Sequence, residues 1–368
     1  MEEITEEIIS ERAPDLPELP ENDPETPEQA QESIADKTRI LSPARLVLKR
    51  FFRSKLSVVG LCMFLFLLLF SFLGPLFVPW DQAEADTWGG EMTVNIYSVE
   101  TTVNGEKFTV YTVEEYTPTL NAHAGAFTYS HEENPRLHLF GTDQFGFDTF
   151  VRLMYGGRLS LLLSFLVVVI YTVIGVILGG LAGYFGKWVD MVIMRIVDIL
   201  NCIPSLPILL IFGAIFDGSG LDISFRIYYM LGFLALLSWT GVARLVRGQI
   251  LFLREQEYIV AAEALGMSPM RKIFHHLVPN VMPQLIVSMT LGLGSIILYE
   301  ATLSFLNLGV SMETASWGYM VQTARTDEIL IAYPMEWLPA GIMIILAVLA
   351  FNFIGDGLRD ALDPKMKR

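Results

Sequence analysis

Long apolar stretches recur along the chain and alternate with polar segments. Six of them are about 20 residues long, which is enough for a helix to cross about 30 Å of hydrocarbon. A non-helical backbone in lipid leaves its polar groups unsatisfied, so each stretch is predicted to be helical. The pattern predicts an all-α polytopic membrane protein with six transmembrane helices, at residues 56–78, 159–181, 188–216, 227–246, 283–306 and 337–354, of which the third is interrupted by proline.

Residues 80–140 have a different pattern, in which β-branched and aromatic residues alternate with polar ones. Asn104 and Gly105 separate two such runs, and this dipeptide is a strong hairpin signal. The segment is predicted to form a small β-rich insert between the first two membrane helices. His123, His131 and His138 also lie here, but their spacing matches no compact zinc motif, so they are predicted to be surface residues.

The stretch EYIVAAEALGMSPMRKIFHHLVP, residues 257–279, is polar although apolar helices flank it. Good helix formers at residues 252–265 precede Gly266, which suits the left-handed position after a helix end. Ser268 is predicted to cap a second short helix that begins at Pro269, and Pro279 is predicted to end it. The pattern indicates a helix–turn–helix that projects from the membrane as a docking element.

The composition agrees with a membrane protein, since 52% of the residues are hydrophobic and the mean hydropathy is +0.47. The net charge of −15 is mostly local, because residues 1–36 contain thirteen acidic residues and one basic residue. This Pro- and Glu-rich composition predicts a disordered acidic tail over residues 1–40. The charge is therefore no sign of a basic partner, and no nucleic acid is expected to bind.

Lysine and arginine placement predicts the orientation. Seven basic residues lie between Lys37 and Lys55, and further basic residues lie in the loop at 250–279 and at the C-terminus. Both termini and this loop are therefore predicted to be cytoplasmic. The chain divides into an acidic tail at 1–40, a basic segment with the first helix at 41–79, an extracytoplasmic insert at 80–140 and a five-helix core at 141–368.

Ionisable residues inside the membrane are costly, by about 2.5–3.5 kcal/mol at mid-bilayer. Arg195 and Asp198 are three residues apart in the third helix, a spacing at which they are predicted to neutralise each other, and interhelical hydrogen-bond sites are favoured for them over a water-filled pathway. Glu300 in the fifth helix leaves two interpretations open, a water-filled pathway and an interhelical hydrogen-bond site. We predict no catalytic, cofactor or metal site. The chain is not expected to hydrolyse ATP, because the nearest approach to a phosphate-binding loop, GLAGYFGKW, has the wrong spacing and Trp188 in place of a hydroxyl residue.

Ala261, Ala262, Gly266 and Pro279 together resemble the EAA loop of ATP-binding-cassette importer permeases. Val260 stands where that pattern has its first Glu. Four further stretches are similar to the C-type subunit of the dipeptide and oligopeptide (peptide/nickel) transport family: FGTDQFGFDTFVRLMYGGRLSL, EATLSFLNLGV, SWGYM and NFIGDGLRDALDPK. Phe147 replaces an arginine usual in the first of these.

The resemblance implies a type I importer permease in the cytoplasmic membrane of a prokaryote, forming half of a translocation pathway for peptides. It implies no enzyme in this chain. ATP and Mg would be bound by two partner ATPase subunits, beside a second permease and an extracytoplasmic solute-binding protein. The implied ATPase-docking loop comprises Ala261, Ala262, Glu263, Gly266, Met267, Ser268, Pro269 and Pro279. Dipeptides, longer peptides and a nickel chelate all remain open as cargo.

Three other classes of function also remain open. A channel or secondary transporter would use membrane-buried charges for its own ion site. An intramembrane hydrolase would need a base near a serine such as Ser160 or Ser304, and the predicted spans contain no histidine. An assembly subunit without transport activity is the third. Peptide uptake that requires both ATP and this chain would exclude all three.

Overall fold

The structure is a computed structural model that describes residues 43–78, 81–86, 96–103, 106–113, 125–130, 137–220, 222 and 225–362. The predicted acidic tail at 1–40 lies entirely outside these residues. Asn104, Gly105, His123 and His131 lie outside them as well.

Helices dominate the described chain, and each apolar stretch lies largely in one long helix or, for the third stretch, in two shorter ones. The helices are α1 (Pro43–Arg53), α2 (Lys55–Leu73), α3 (Thr149–Phe185), α4 (Lys187–Cys202), α5 (Ser205–Gly218), α6 (Arg226–Leu253), α7 (Glu257–Ala264), α8 (Pro269–Arg271), α9 (Val278–Phe305), α10 (Trp317–Gln322), α11 (Asp327–Ala332) and α12 (Pro334–Leu362). Within the described residues, five helical spans are long and apolar enough to cross a membrane, or six if α4 and α5 count as one bent span. This confirms the predicted membrane architecture.

The insert contributes short strands. Strands β1 (Ile96–Val103) and β2 (Glu106–Val113) pair antiparallel, with Val103 opposite Glu106. They lie where the hairpin is predicted. Strands β3 (Thr128–Tyr129) and β4 (Leu137–His138) form a second antiparallel pair, which leads toward the start of α3.

Helix α3 begins well before its predicted start, because Asp148 caps it. The Asp148 carboxylate accepts a hydrogen bond from the Val151 N–H at 2.8 Å, which satisfies one of the free donors of the first turn. The added turns bury Arg152, whose guanidinium donates to the Met312 carbonyl at 2.7 Å. The buried charge of Arg152 thus lies in the first turn of α3, before the start of the helix that hydropathy alone predicts.

A row of glycines on α3 forms a seam with α6. Gly175, Gly179 and Gly183 are spaced four residues apart and face the same neighbour. A Cβ atom at Gly179 would lie 2.5 Å from the Ala243 carbonyl oxygen, so only glycine fits there. Such small residues let membrane helices approach backbone to backbone. The seam lies in the larger core cluster, which includes Val242 and Val246.

Helices α4 and α5 meet at an angle of 83°. The break lies at Ile203 and Pro204, which both have extended backbone conformations. Proline disfavours a helical conformation in the residue before it, so Pro204 accounts for the break after Cys202. The third predicted span is therefore two half-length helices.

Candidate functional site

Residues 257–279, here called the docking segment, contain the predicted helix–turn–helix. The turn is a Schellman motif in which Gly266 has a φ of 75°. The Gly266 N–H donates to the Glu263 carbonyl at 2.9 Å, and the Met267 N–H donates to the Ala262 carbonyl at 3.1 Å. Gly266 thus takes the left-handed conformation that the sequence predicts.

The first helix of the segment is shorter than predicted, and the predicted cap is wrong. Helix α6 ends at Leu253 and α7 begins at Glu257, so the predicted helix at 252–265 is interrupted. Ser268 has the extended backbone of an N-cap, but its side chain makes no capping hydrogen bond. Only one α-helical turn follows Ser268 before the chain becomes a π-helix. The exposed Ser268 hydroxyl accepts no hydrogen bond from the N–H groups of this turn.

Pro279 does not end the second helix, contrary to the prediction. Residues Lys272–Leu277 form a π-helix that joins α8 to α9, so one helical span runs from Pro269 to Phe305. Pro279 lies in the first turn of α9, where a missing N–H costs little. The π turn directly before it already lacks the regular α-helical bonds, so the chain absorbs the proline without stopping.

The inner side of the docking segment is built into the protein core. Ile259, Ile273 and Leu277 are almost completely buried and belong to the same cluster as the α3–α6 seam. The buried Lys272 Nζ lies 3.2 Å from the Glu263 carboxylate, which links the two helices of the segment. These contacts hold the segment against the bundle as one body.

Charged side chains at the end of α6 link it to the neighbouring ends of α3 and α4. The Arg254 guanidinium donates to the Gly183 carbonyl at 3.1 Å, across from α6 to the end of α3. Arg247 forms a bidentate ion pair with Asp190 at the start of α4. The docking segment therefore adjoins α3, α4 and α6, which these groups link together; we call these three helices the platform.

The outer side of the segment exposes apolar side chains. Leu265 is 85% exposed, and the other large apolar residues here are at least 44% exposed. A group of exposed apolar side chains usually marks a protein or membrane interaction site. We call it the apolar face: Tyr258, Val260, Leu265, Met270 and Phe274.

The residues predicted for the docking loop divide by position. Ala262 is buried and Met267 is partly buried, so these two belong to the platform side. The remaining predicted residues are exposed beside the apolar face: Ala261, Glu263, Gly266, Ser268, Pro269 and Pro279.

Glu300 is fully buried between helices. Its carboxylate accepts hydrogen bonds from Ser160 at 3.1 Å and from Ser304 at 3.2 Å. Ser160 belongs to α3, so the carboxylate joins α9 to α3, close to Gly318 at the start of α10. Of the two interpretations left open by the sequence, this geometry favours the interhelical hydrogen-bond site.

The pairing predicted within α4 is wrong. Asp198 accepts a hydrogen bond at 2.9 Å from Arg244 on α6, and not from Arg195. Because α4 packs against α6, the arginine across the helix pair reaches the carboxylate and compensates its charge. Both partners are about half exposed, so the pair contributes little to stability.

His138 is completely buried, contrary to its predicted surface position. Its Nδ1 lies 2.6 Å from the Asp148 carboxylate and its Nε2 lies 3.2 Å from the Asp86 carboxylate. The imidazole thus ties the segment after α2 to the capping residue of α3. Within the described residues, no group of three or more His, Cys, Asp and Glu side chains is placed to hold a metal ion.

This cluster predicts a pH-dependent stability. Burial lowers the pKa of His138, but the Asp148 and Asp86 carboxylates outweigh burial and raise the pKa above 6.5. The stabilising charge is therefore fully present below about pH 6.5 and is lost as pH rises through the raised pKa. A His138→Gln variant is expected to be less stable than the parent by about 3 kcal/mol at pH 5.5, and by less at pH 9.

Thermal unfolding of the purified protein in detergent, at several pH values, measures this difference. The matched variant is Asn280→Gln, an exposed polar change far along the chain, which should show no pH-dependent difference. A His138→Gln difference that is constant across the pH range would contradict the charged state of the imidazole.

The glycine seam is the structural feature that the sequence reasoning missed. Its signal is present in the chain as Gly175, Gly179 and Gly183, which repeat the Gly-x-x-x-Gly pattern in an apolar helix. This pattern marks a close helix contact and was readable without a structure.

Comparison with known proteins finds relatives along most of the chain. Residues 175–368 match the family model described as binding-protein-dependent transport system inner membrane component, and residues 42–88 match the N-terminal TM domain of oligopeptide transport permease C. The dipeptide transport system permease protein DppC of Alkalihalophilus pseudofirmus is 44% identical over 62% of this chain and 73% of the relative. The oligopeptide transport system permease protein OppC of Bacillus subtilis is 33% identical over 87% of this chain and 88% of the relative. A solved chain of the MetNI methionine ABC transporter, in an inward-facing conformation, has a TM-score of 0.42 and 19% identity over 57% of this chain and 96% of that chain.

Proposed function

The chain belongs to the DppC/OppC family of peptide-importer permeases, the inner membrane components of ATP-binding-cassette transport systems, and from this premise we propose that residues 257–279 dock a separate ATPase subunit. ATP hydrolysis by that subunit moves the docking segment, and the movement reorients the membrane helices. The chain itself supplies half of the translocation pathway and binds no nucleotide.

The observation that carries this proposal is the two-sided construction of the docking segment. Its apolar face is exposed, while its inner side is buried in the same core cluster as α3 and α6. A flexible loop would absorb the displacement of a bound partner, whereas a segment packed into the core passes it on to the helices. The construction therefore suits transmission of movement more than attachment alone.

The topology in this proposal follows the placement of basic residues. Both termini and the docking segment are cytoplasmic, and the insert at 80–140 is extracytoplasmic. The acidic tail at 1–40, the first-helix region at 41–79 and the core at 141–368 keep the divisions predicted from the sequence.

The partners in this proposal are a second permease, two ATPase subunits that bind ATP and Mg, and an extracytoplasmic solute-binding protein. The cargo is peptides, because the relatives are named for dipeptide and oligopeptide transport.

The test is peptide uptake into proteoliposomes that contain the complete complex. We expect uptake of a labelled dipeptide and a labelled pentapeptide to require enclosed ATP, the binding protein and this chain. The ratio of the two rates then distinguishes dipeptide from oligopeptide cargo.

Each competing class of function predicts a different result. A channel or secondary transporter gives uptake without ATP, and a hydrolase releases cleaved peptide without its partners. An assembly subunit leaves uptake intact when the purified complex is stripped of this chain. Any of these three results would overturn the importer proposal.

A further inference from the structure

A cavity of about 410 Å³ lies beside the break between α4 and α5. Hydroxyl and amide side chains from α4, α5, α6 and α9 converge on it. The residues that matter here are Asn201, Ser205, Ser238, Thr240, Gly241 and Tyr299. Ser238 and Gly241 are near the midpoint of α6, a helix long and apolar enough to cross a membrane, so we place the cavity within the membrane-spanning part of the bundle.

The polar side chains around the cavity are held in place by hydrogen bonds. Thr240 donates to the Asn201 amide oxygen at 3.2 Å, and the Asn201 amide nitrogen donates to the Val197 carbonyl at 2.7 Å. The Ser205 and Tyr299 hydroxyls lie 3.3 Å apart across the cavity wall. Each hydroxyl also has acceptor capacity beyond these bonds, so the wall can still pair with a ligand.

The broken helix supports an aqueous environment at this point. The backbone of Ile203 and Pro204 is extended, and both residues are exposed. Non-helical backbone at membrane depth is tolerated only where protein buries it or where it borders a water-filled cavity. Discontinuous helices at mid-membrane border substrate sites in other transporters for the same reason.

The cavity has no charged lining residue. The nearest charges on α4 and α6, Asp198 and Arg244, lie about one turn away from the lining residues and neutralise each other. A transition-metal ion would require imidazole, thiolate or carboxylate ligands, and a lipid chain gains nothing from hydroxyl groups. A peptide bond, which has one N–H donor and one carbonyl acceptor, matches this lining.

We propose that this cavity is a binding site for the main chain of the transported peptide during its passage through the membrane. The inference rests on the proposed importer function and adds the site and its chemistry to it. The volume lies in the range typical of small-ligand sites and accommodates a short peptide. Recognition through backbone amides leaves the cargo side chains unread, so peptides of different sequence use the same site.

Gly241 provides a test of the cavity. A Cβ atom at Gly241 would meet no atom within 4 Å, so a Gly241→Leu variant fills the cavity without colliding with the bundle. We expect ATP-driven uptake of labelled trialanine to fall at least tenfold, while the ATPase subunits still co-purify with the variant. Gly232→Leu is the matched control, because Gly232 is also on α6, is equally open and does not line the cavity.

Cys202 provides a second readout that does not depend on transport. It is exposed beside Asn201, whereas Cys62, the other free cysteine, is exposed on the apolar helix α2. In the complete complex, we expect a small hydrophilic thiol reagent to modify Cys202 at least tenfold faster than Cys62. Trialanine at millimolar concentration should slow the modification of Cys202, and free alanine should not.

The outcomes separate this inference from the importer proposal. Absence of ATP-driven uptake by the parent complex counts against the importer function. A parent that transports, together with an equally active Gly241→Leu variant or an unreactive Cys202, overturns the cavity inference alone. Modification of Cys202 that trialanine does not slow also overturns it, since the cavity then contains only water.

Discussion

A Leu265→Asp substitution is expected to abolish co-purification of the ATPase subunits and ATP-driven peptide uptake. Leu265 is the most exposed residue of the apolar face, and its side chain contributes nothing to the core. Burial of one leucine in an interface is worth about 1.5–3 kcal/mol, and an unpaired carboxylate placed there adds a desolvation cost. Since each 1.4 kcal/mol is a factor of ten, affinity should fall at least 100-fold.

The measurement is recovery of ATPase subunits on the tagged chain after solubilisation in mild detergent. Leu76→Asp is the matched control, because Leu76 is also a strongly exposed leucine but lies at the other end of the bundle, at the end of the first span. That variant should retain the ATPase subunits. Equal recovery with both variants would remove the docking segment from the proposal.

A Gly179→Leu substitution is expected to prevent the chain from folding stably in the membrane. A Cβ atom at this position would lie 2.5 Å from the Ala243 carbonyl oxygen and 2.9 Å from the Ala243 Cα. Both are backbone atoms that cannot rotate away, so α3 and α6 must separate along the whole seam. We expect a loss of about 3 kcal/mol or more, at the upper end of overpacking costs, and loss of most membrane-inserted protein.

Membrane levels and thermal stability in detergent measure this effect. Gly341→Leu on α12 is the matched control, because a Cβ atom there would meet no atom within 4 Å. It adds the same side chain to another membrane helix without a collision. Normal stability of the Gly179→Leu variant would show that the two helices do not pack at backbone distance.

Hydropathy was sufficient to predict that the membrane helices exist, because spanning segments must be apolar and helical wherever they lie in the fold, but it did not predict where α3 begins. Gly266 was equally predictable, since its left-handed turn depends only on local backbone chemistry. Pro279 was not, because its effect depends on the π turn before it, in which Lys272 and Ile273 are buried. A local rule for proline fails where packing has already changed the hydrogen-bond pattern.

Pairings between distant segments were the other features beyond the reach of the sequence reasoning. His138 is polar and lies in a polar segment, so the prediction that it is a surface residue was reasonable. In the fold, however, it is buried and contacts Asp86, which is distant in sequence. Asp198 likewise has a nearby arginine in sequence and a different one in space. Neither contact leaves a periodic signal, because periodicity reports one face of one element and not what lies opposite.

The helical span from Pro269 to Phe305 can transmit movement from one end to the other. Its 37 residues extend over about 55 Å. A tilt of about 10° around its middle moves each end by about 5 Å in opposite directions. Met270 and Phe274, which we propose to contact the ATPase, lie on one half, and Tyr299 lies on the other half, in the wall of the cavity. A displacement of the Met270 end therefore moves the cavity wall at Tyr299 in the opposite direction. The helical span does not have to unfold for this movement.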